Sequence, residues 1–393
     1  MNMNGVRRIR FISASDRINY GDFLFPLIFS LVLKKVDKNI VFENYGIIKS
    51  DFTFFGALKT KSFKNLEAEL EEGDKIVVGG GEVLFANWTT LYAFINPLFN
   101  YLLQSKKLRS LEKRIEFSNR WLSSNKVPFP FSFKASDFKL SQVKVYYSSV
   151  GGGNLLLKNN RNQKMAYSRM EAAKIISLRD NRSLDYFSKY PGLNAQLVPD
   201  SALLMSDFYS KERLKEMVGS SLYFNDYIYL QLGINKGPKD LKEFAKQLNV
   251  LSRDLECQVL LCPIGLAPGH EDNKILKELK RIQPQFDFVM PKNIFEIMYL
   301  IAHSTLYLGT SLHGAITAMS FLTPAIGLNK RVPKLESYMK TWISKDFENL
   351  EFDYIGSNAV YDLINLFRAN FNHEKLEKQK RLVQSNLESI IND

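Results

Sequence analysis

The chain has 393 residues, which at about 150 residues per domain predicts two domains and excludes a single small module. Apolar residues make up 45% of the chain and charged residues 24%, so disorder is excluded as its main state. Lys and Arg outnumber Asp and Glu by 53 to 41, and the resulting net charge of +12 favours anionic partners.

The sequence predicts a cytoplasmic protein without a tightly bound metal. The N-terminal segment lacks the apolar run of a secretory signal, and no stretch of about 18 uncharged apolar residues could span a membrane. Cys257 and Cys262 fit neither a disulfide framework nor a CxxC pair. No cluster of His, Cys, Asp or Glu has the spacing of metal ligands.

Short apolar runs that end in Gly or Pro alternate with helical patterns, which predicts an α/β fold with mainly parallel sheets. In the first half the predicted strands are 8–12, 39–42, 75–78, 143–150 and 173–177, with a buried helix at 21–35. In the second half they are 227–232, 258–263, 286–290, 305–308 and 324–328. The helices predicted between these later strands are 240–253, 272–282, 294–302 and 312–321.

This order predicts two Rossmann-like domains that face each other across a cleft, as in GT-B enzymes. We expect an N-terminal domain at 1–208, a C-terminal domain at 209–370, and a C-terminal helix at 371–393 that packs back across the first domain.

A basic and aromatic insertion at about 91–140 interrupts the α/β pattern. Eight Lys or Arg residues and two Glu residues occur between Gln104 and Lys134, together with Phe117, Trp121, Phe129, Phe131 and Phe133. A core helix followed by a solvated basic loop explains this pattern, and so does contact with an anionic membrane surface. No nucleic-acid-binding motif accompanies the charge, so we expect no nucleic-acid partner.

Two glycine runs end predicted strands. Gly79, Gly80 and Gly81 precede Glu82, and Gly151–Gly153 follow the strand at 143–150. Glycines at this edge of an open α/β sheet let the backbone approach a ligand. Leu84 stands where a dinucleotide fingerprint requires glycine, so each run is interpreted either as a tight turn or as a ligand contact.

The segment 305–328 combines a strand, a turn and a helix start. Thr310 or Ser311 can cap the helix, and Leu312, His313 and Gly314 form its first turn. Free N–H groups there attract anions, and the helix dipole favours a neutral imidazole at His313. A histidine that merely bonds the backbone remains the alternative.

Several motifs in register resemble the bacterial polysaccharide pyruvyl transferase family. The stretch 294–328 is similar to the family's Arg-Leu-His turn, small-residue helix and Pro-containing strand. The other motifs, spread over about 15–340, are Asn19-x-Gly21-Asp22, VVGGGEVLF, SLRDNRSLDYF at 177–187, Pro199 to Ala202, and Pro333 with Lys334.

The resemblance implies transfer of a pyruvyl group from phosphoenolpyruvate, the co-substrate, to a sugar or a lipid-linked oligosaccharide. It assigns His313 as the catalytic acid and base, with the N-terminal domain on the acceptor side and the C-terminal domain on the donor side. The expected donor-binding residues are Arg179, Ser311, Leu312, Gly314, Arg331 and Lys334. The expected acceptor-binding residues are Asn19, Asp22, Gly80, Gly81 and Glu82. Ser311 stands where the family usually has arginine, so Lys330, Arg331 and Lys334 are the cations expected to substitute.

Structural roles remain open for several of these residues. Arg179 could form a salt bridge to Asp180 or Asp185, Arg331 could be a solvated loop cation, and Asn19 and Asp22 could cap a helix. Among the other histidines, His270 is a weaker candidate, whereas His303 and His373 are expected to be structural.

Two other functions are compatible with the sequence. One is a GT-B-type glycosyltransferase that uses a nucleotide sugar, and the other is a catalytically silent homologue that binds glycans. The predicted fold alone does not separate these functions from pyruvyl transfer.

Overall fold

The computed structural model describes residues 7–84, 86–123, 127–138, 143–152, 160–190, 192–219, 222, 224–267 and 271–393. The chain forms two compact units. The first unit comprises Met1–Ile18, Asp22–Ser201 and Gln384–Asp393, and the second comprises Asn19–Gly21 and Ala202–Val383.

The first unit contains a parallel sheet with the strand order β3-β2-β1-β4-β5-β6-β7. Its strands are β1 (Arg8–Ile12), β2 (Val41–Gly46), β3 (Lys61–Ser62), β4 (Lys75–Gly79), β5 (Lys144–Val150), β6 (Ile175–Leu178) and β7 (Ala195–Leu197). The helices up to residue 187 are α1 (Tyr20–Val36), α2 (Phe63–Glu69), α3 (Trp88–Ile95), α4 (Pro97–Leu102), α5 (Lys106–Ile115), α6 (Phe117–Ser123), α7 (Asn160–Met170) and α8 (Asn181–Phe187).

The second unit contains a parallel sheet with the strand order β10-β9-β8-β11-β12. Its strands are β8 (Tyr227–Gln231), β9 (Gln258–Leu261), β10 (Asp287–Phe288), β11 (Leu306–Gly309) and β12 (Ala325–Gly327). The later helices are α9 (Met205–Phe208), α10 (Lys211–Val218), α11 (Leu241–Asp254), α12 (Asp272–Ile282), α13 (Ile294–Ala302), α14 (Leu312–Ser320), α15 (Pro333–Trp342), α16 (Ala359–Asn370) and α17 (His373–Asn392).

Both sheets have the near-continuous apolar strands of sheets that are covered on both faces. Every residue of β8 and β11 is buried, and so is every residue of β4. In a parallel sheet the carboxyl ends of all strands lie at one edge, where α/β proteins bind ligands. The predicted α/β fold with two Rossmann-like units is confirmed.

The division between the units falls at Ser201/Ala202, before the predicted boundary at 208/209. Hydrogen bonds explain the difference, because Ser320 Oγ at the end of α14 donates to Leu203 O at 2.8 Å. Ser206 N also donates to Ser320 Oγ at 3.2 Å. The segment 202–208 therefore belongs to the second unit.

The C-terminal helix predicted at 371–393 is α17, His373–Asn392, and the division between the two units falls inside it at Val383/Gln384. Its last turn packs on the first sheet, where Lys75 Nζ donates to Ile390 O at 3.1 Å and to Ile391 O at 2.7 Å. A buried lysine at the amino end of β4 thus satisfies carbonyl groups that a helix end leaves free.

The basic insertion is helical from α3 to α6, whereas the sequence indicated a core helix and a loop. Phe129, Phe131 and Phe133 are buried, and the last two belong to the apolar core of the first unit. These three rings are therefore not part of a surface, which corrects the predicted aromatic patch. Phe117 and Trp121 are exposed, as that patch requires.

No helix in the described part of the chain is both long and apolar enough to cross a membrane. Within the same residues, no group of three or more His, Cys, Asp or Glu is placed to hold a metal ion.

Candidate functional site

The turn between β11 and α14 is built around the phenol of Tyr307. A Cβ atom at Gly309 would lie 2.3 Å from the Tyr307 hydroxyl oxygen, and one at Gly314 would lie 2.1 Å from it. The same hydroxyl donates to Ser311 O at 3.2 Å. Gly314 therefore has a packing role, which is independent of any contact with a donor substrate.

Ser311 caps helix α14, which resolves the choice between Thr310 and Ser311. Its Oγ accepts a hydrogen bond from Gly314 N at 3.4 Å. Thr310 instead connects the segments that follow β11 and β8, because its Oγ1 accepts a hydrogen bond from Gly233 N at 2.9 Å. Leu312 is buried, so its side chain contributes to the core.

His313 is half-buried in the first turn of α14, and its ring lies against the backbone of Gly21. A Cβ atom at position 21 would be 1.8 Å from His313 Nδ1. The carbonyl of His313 accepts from Thr317 Oγ1 at 2.7 Å, and this hydroxyl is 2.8 Å from that of buried Tyr20. The Asn-x-Gly motif and His313, far apart in sequence, are therefore adjacent in the second unit.

The start of α1 is also fixed by backbone contacts with the loop after β9. Asn19 forms an antiparallel bridge with Gly265, and Tyr20 N donates to Ile264 O at 3.4 Å. The importance of Tyr20 and Thr317 was missed at the sequence level, because an aromatic residue and a threonine in apolar helices resemble ordinary core residues.

A buried carboxylate organises the same edge of the second sheet. Asp272 Oδ2 accepts from Gln231 Nε2 at 2.7 Å and from Gly265 N at 2.9 Å. Gln231 Oε1 in turn accepts from Thr310 N at 3.1 Å. Burial raises the pKa of Asp272 to about 6, although these hydrogen bonds act in the opposite direction. The network connects the ends of β8 and β11 to the start of α12.

The cations expected to bind the donor follow β12, the neighbour of β11 in the sheet. Lys330 forms an exposed salt bridge to Glu348 at 3.0 Å. Arg331 is exposed, and among the described residues its guanidinium has no hydrogen-bond or salt-bridge partner. Lys334 is half-buried in the first turn of α15. Arg331 and Lys334 thus share the carboxyl edge of the sheet with His313.

In the first unit the two glycine runs lie side by side. Gly80 N donates to Ser148 O at 3.0 Å, and Gly151 N donates to Gly81 O at 2.7 Å. Gly80 and Gly81 have φ values of +56° and +73°, a conformation that strongly favours glycine. A Cβ atom at Gly80 would also lie 2.0 Å from the Phe25 ring. Both glycines therefore have conformational roles, and their predicted contact with an acceptor stays a prediction.

Arg179 follows β6 and is only 1% exposed. Its Nη1 forms a salt bridge to Asp200 Oδ2 at 3.0 Å, and its Nε lies 3.9 Å from Asp180 Oδ2. Burial opposes the charged guanidinium, but the charges of Asp200, Asp180 and Glu82 together raise the pKa of Arg179. The partner suggested alongside Asp180 was Asp185, which is exposed, so Asp200 was missed although its Pro-Asp motif was noted.

The remaining candidates divide between the units. Asp22 and Glu82 belong to the first unit, where Asp22 Oδ1 would be 3.7 Å from a Cβ atom at Gly81. His303, at the end of α13, has its Nδ1 atom 2.9 Å from Tyr299 O. His270 lies outside the described residues.

The comparison with protein families identifies these motifs. A model of the polysaccharide pyruvyl transferase family matches residues 19–329, most of the chain. The chain belongs to the polysaccharide pyruvyl transferase family. The resemblance carried by Asn19, the glycine turn and the His313 turn is therefore confirmed. No curated protein sequence matches the chain.

Solved structures with a similar fold include nucleotide-sugar enzymes. The UDP-GlcNAc 2-epimerase of Methanocaldococcus jannaschii has a TM-score of 0.53 at 12% identity, over 96% of this chain and 98% of that one. The corresponding enzyme of Neisseria meningitidis has a TM-score of 0.51 at 14% identity, over 98% of both chains. The N-terminal domain of Candida albicans trehalose-6-phosphate phosphatase has a TM-score of 0.51 at 10% identity, over 99% and 96%. These similarities show a GT-B-type fold, and at such identities they do not indicate a substrate.

Proposed function

We propose that this transferase moves a pyruvyl group from phosphoenolpyruvate to two hydroxyls of a sugar in a surface or exopolysaccharide precursor. Family membership supports the reaction class. The observation that carries the proposal is the position of His313, half-buried in the first turn of α14 with its ring against Gly21. A helix start is a favourable place for an anionic donor, because its free N–H groups and dipole attract negative charge.

The reaction requires one proton to be delivered and two to be removed. A proton added to the methylene carbon of the donor makes a methyl group and leaves cationic character on the central carbon. A first sugar hydroxyl bonds to that carbon and loses its proton, and the bond to phosphate breaks. A second hydroxyl then bonds to the same carbon and loses its proton, which completes the ketal and leaves inorganic phosphate as the other product.

His313 is the proposed proton carrier in this sequence. General acid and base catalysis by one positioned side chain is worth about 10²–10⁴-fold in rate. The ring has little freedom to move, because Gly21 packs against it on one side. The proposed catalyst is therefore held in place by the first turn of α1.

Donor binding must be achieved without the family's arginine at position 311. Ser311 is occupied as the cap of α14. Arg331 is the proposed substitute, since it is exposed at the same sheet edge and a guanidinium binds carboxylate or phosphate through two N–H groups. Replacing Arg331 with glutamine should raise KM for phosphoenolpyruvate more than it lowers kcat.

The test is phosphate release from phosphoenolpyruvate, measured with and without methyl glycosides or lipid-linked oligosaccharides as acceptors. Acceptor-dependent release is expected from the wild type. His313→Ala should lower kcat at least 100-fold with a similar melting temperature, whereas the control His303→Ala should remain active. Release of UDP or GDP from a sugar nucleotide would instead support a glycosyltransferase. Glycan binding without turnover would support a silent homologue.

An exposed helical surface supports an acceptor that is linked to a membrane lipid. Helices α4 to α6 expose Leu98 by 67%, Tyr101 by 69% and Trp121 by 58%. On α5 the exposed side chains include Lys106, Lys107, Lys113 and Arg114. Large apolar side chains beside cations match the interface of an anionic membrane. We therefore place the protein at the cytoplasmic membrane surface, bound peripherally through this face.

Flotation with vesicles tests this placement. Vesicles with anionic lipid should carry the protein upward at low salt and less at high salt, because salt screens the attraction. The double change Lys113→Glu and Arg114→Glu should abolish flotation, while Lys242→Glu with Lys246→Glu on α11 serves as the control. Failure of the wild type to float at low salt would refute the placement.

A further inference from the structure

Four neighbouring strands of the first sheet each begin at a cation. Lys75 and Lys144 are the first residues of β4 and β5, whereas Arg7 immediately precedes β1 and Lys174 immediately precedes β6. The strand order β1-β4-β5-β6 makes these positions consecutive along the amino edge of the sheet, opposite to the glycine turns. Because neighbouring strands lie about 4.8 Å apart, the row of positive charge extends over about 14 Å.

The same four cations line a cavity of about 600 Å³, a volume typical of small-molecule sites. Gly73 also lines this cavity, and a Cβ atom there would meet no atom beyond its chain neighbours within 4 Å. The side chains of Arg7 and Lys144 are 50% and 38% exposed, and Lys174 is exposed. A ligand in the cavity can therefore reach their charged groups.

The last turn of α17 uses part of this charge. Lys75 Nζ donates to two carbonyl groups of that turn, at 3.1 and 2.7 Å. Arg7 Nη2 donates to Ile391 O at 2.8 Å. These bonds go to neutral carbonyl groups, which carry only the partial negative charge of a helix end, so they do not neutralise the two cations.

Carboxylates compensate another part of the charge. Lys144 Nζ lies 2.9 Å from Asp393 Oδ2, and Arg7 Nη1 lies 3.2 Å from Asp37 Oδ2. Asp393 lines the cavity together with the cations. Within the described residues, the ammonium group of Lys174 makes no hydrogen bond or salt bridge. The wall of the cavity therefore combines four cationic side chains with one carboxylate side chain.

The cations are close enough to repel one another. Lys75 and Lys144 are register partners on adjacent parallel strands, so their like charges lie side by side. Lys75 is only 7% exposed. Burial and the positive charge of Arg7 lower its pKa to about 8, and Lys144 acts in the same direction, whereas Asp393 opposes the shift. An anion bound in the cavity would relieve this repulsion.

We propose that this cavity binds a ligand that carries a diphosphate group. One phosphate group can contact the cations of about two neighbouring strands, and the length of the row leaves cations for a second phosphate. Among the described residues, the lining includes one apolar side chain, Val143, which is 4% exposed. The site therefore recognises charge, whether the diphosphate belongs to a free anion or to a lipid head group.

The test is isothermal titration calorimetry of the full chain at low salt with pyrophosphate, inorganic phosphate, sulfate and farnesyl diphosphate. Wild type should bind pyrophosphate more tightly than phosphate or sulfate. Lys174→Gln should weaken pyrophosphate binding at least about threefold, and its combination with Lys144→Gln about tenfold. Asp393→Asn should instead tighten binding, because it frees Lys144 from its carboxylate partner. Lys242→Gln, an exposed lysine of α11, is the control.

Melting temperatures separate a binding role from a structural one. Since Lys174 is exposed and makes no side-chain bond within the described residues, Lys174→Gln should melt at the same temperature as wild type. Pyrophosphate should raise the melting temperature of wild type more than that of this variant.

The proposal is overturned if wild type does not bind pyrophosphate, or binds it no more tightly than phosphate. Equal affinities in wild type and both lysine variants would also overturn it. A loss caused by Arg331→Gln and by neither lysine variant would place pyrophosphate at the proposed donor site, with the same consequence.

Farnesyl diphosphate distinguishes the two sources of the diphosphate group. An affinity equal to that of pyrophosphate would indicate a free anion, whereas a higher affinity would indicate a lipid head group, and either result supports the site. These measurements require no turnover, so their outcome is independent of whether the protein transfers pyruvyl groups.

Discussion

Replacing Gly21 with alanine should destabilise the second unit, although alanine is normally the better helix residue by about 1 kcal/mol. The new Cβ would lie 1.8 Å from Nδ1 and 2.2 Å from Cγ of His313. Because Cγ is bonded directly to Cβ, the ring can escape only by a change of χ1 or a shift of backbone. Overpacking of this kind costs about 1–3 kcal/mol. The expected net effect is therefore a loss of up to about 2 kcal/mol in the free energy of unfolding.

A double-mutant cycle isolates this contact. Free energies of unfolding are measured in denaturant for wild type, Gly21→Ala, His313→Ala and the double variant. With the ring removed, alanine at position 21 should be neutral or stabilising, so the coupling energy should equal the clash, about 1–3 kcal/mol. Equal effects of Gly21→Ala in both backgrounds, within about 0.5 kcal/mol, would show that the ring does not pack on Gly21.

Three further substitutions test packing, pairing and titration. Gly80→Ala should lower the free energy of unfolding in denaturant by about 1–3 kcal/mol more than the control Gly73→Ala. Both glycines have positive φ, but only Gly80 faces an aromatic ring. Equal losses of stability in the two variants would contradict this prediction. Arg179→Met should lower the free energy of unfolding by about 3–5 kcal/mol because it removes the salt-bridge partner of buried Asp200, and Asp200→Leu in the same chain should recover most of that loss. Burial raises the pKa of Asp272 to about 6, so the folded form keeps a proton that the unfolded form loses above about pH 4. The free energy of unfolding should therefore fall by about 1.4 kcal/mol per pH unit between pH 4 and 6. Parallel curves of this free energy against pH for wild type and Asp272→Asn would refute the prediction.

Long, strongly patterned elements were predictable from the sequence. Strand β1 and helices α12 and α13 have the predicted bounds, because their apolar residues follow a clear period and Gly, Asn or charged residues mark their ends. Strands β3 and β7 were missed, since segments of two and three residues with Lys, Ser or Gln carry no such pattern. Their pairing depends on neighbouring strands that are already in place.

Strand β2 was predicted too early for a related reason. The sequence indicated 39–42, whereas the strand is Val41–Gly46. Glu43 and Asn44 interrupt the apolar run, so the sequence pattern predicts that the strand ends before them. In the fold Glu43 forms salt bridges with Arg10 and Lys61, and Asn44 bonds Ser15 and Lys59 O. Polar residues inside a strand are tolerated here because each has a partner that only the folded chain provides.

Arginine illustrates where sequence reasoning about the site fails. Arg17 and Arg179 both follow a strand of the first sheet and both are buried, so their local sequences offer no basis for assigning them different roles. Their partners nevertheless differ, because β7 leads to Asp200, which forms a salt bridge with Arg179. Arg17 forms no salt bridge within the described residues, and the neighbouring carboxylate of Asp16 acts on it electrostatically. Strand order, which is a long-range property, brings Asp200 to Arg179. A paired arginine must break a salt bridge before it can bind a substrate anion. Arg179, the arginine singled out as an anion clamp, is thus already paired with Asp200 and is less suitable for holding a substrate anion than its sequence context indicated.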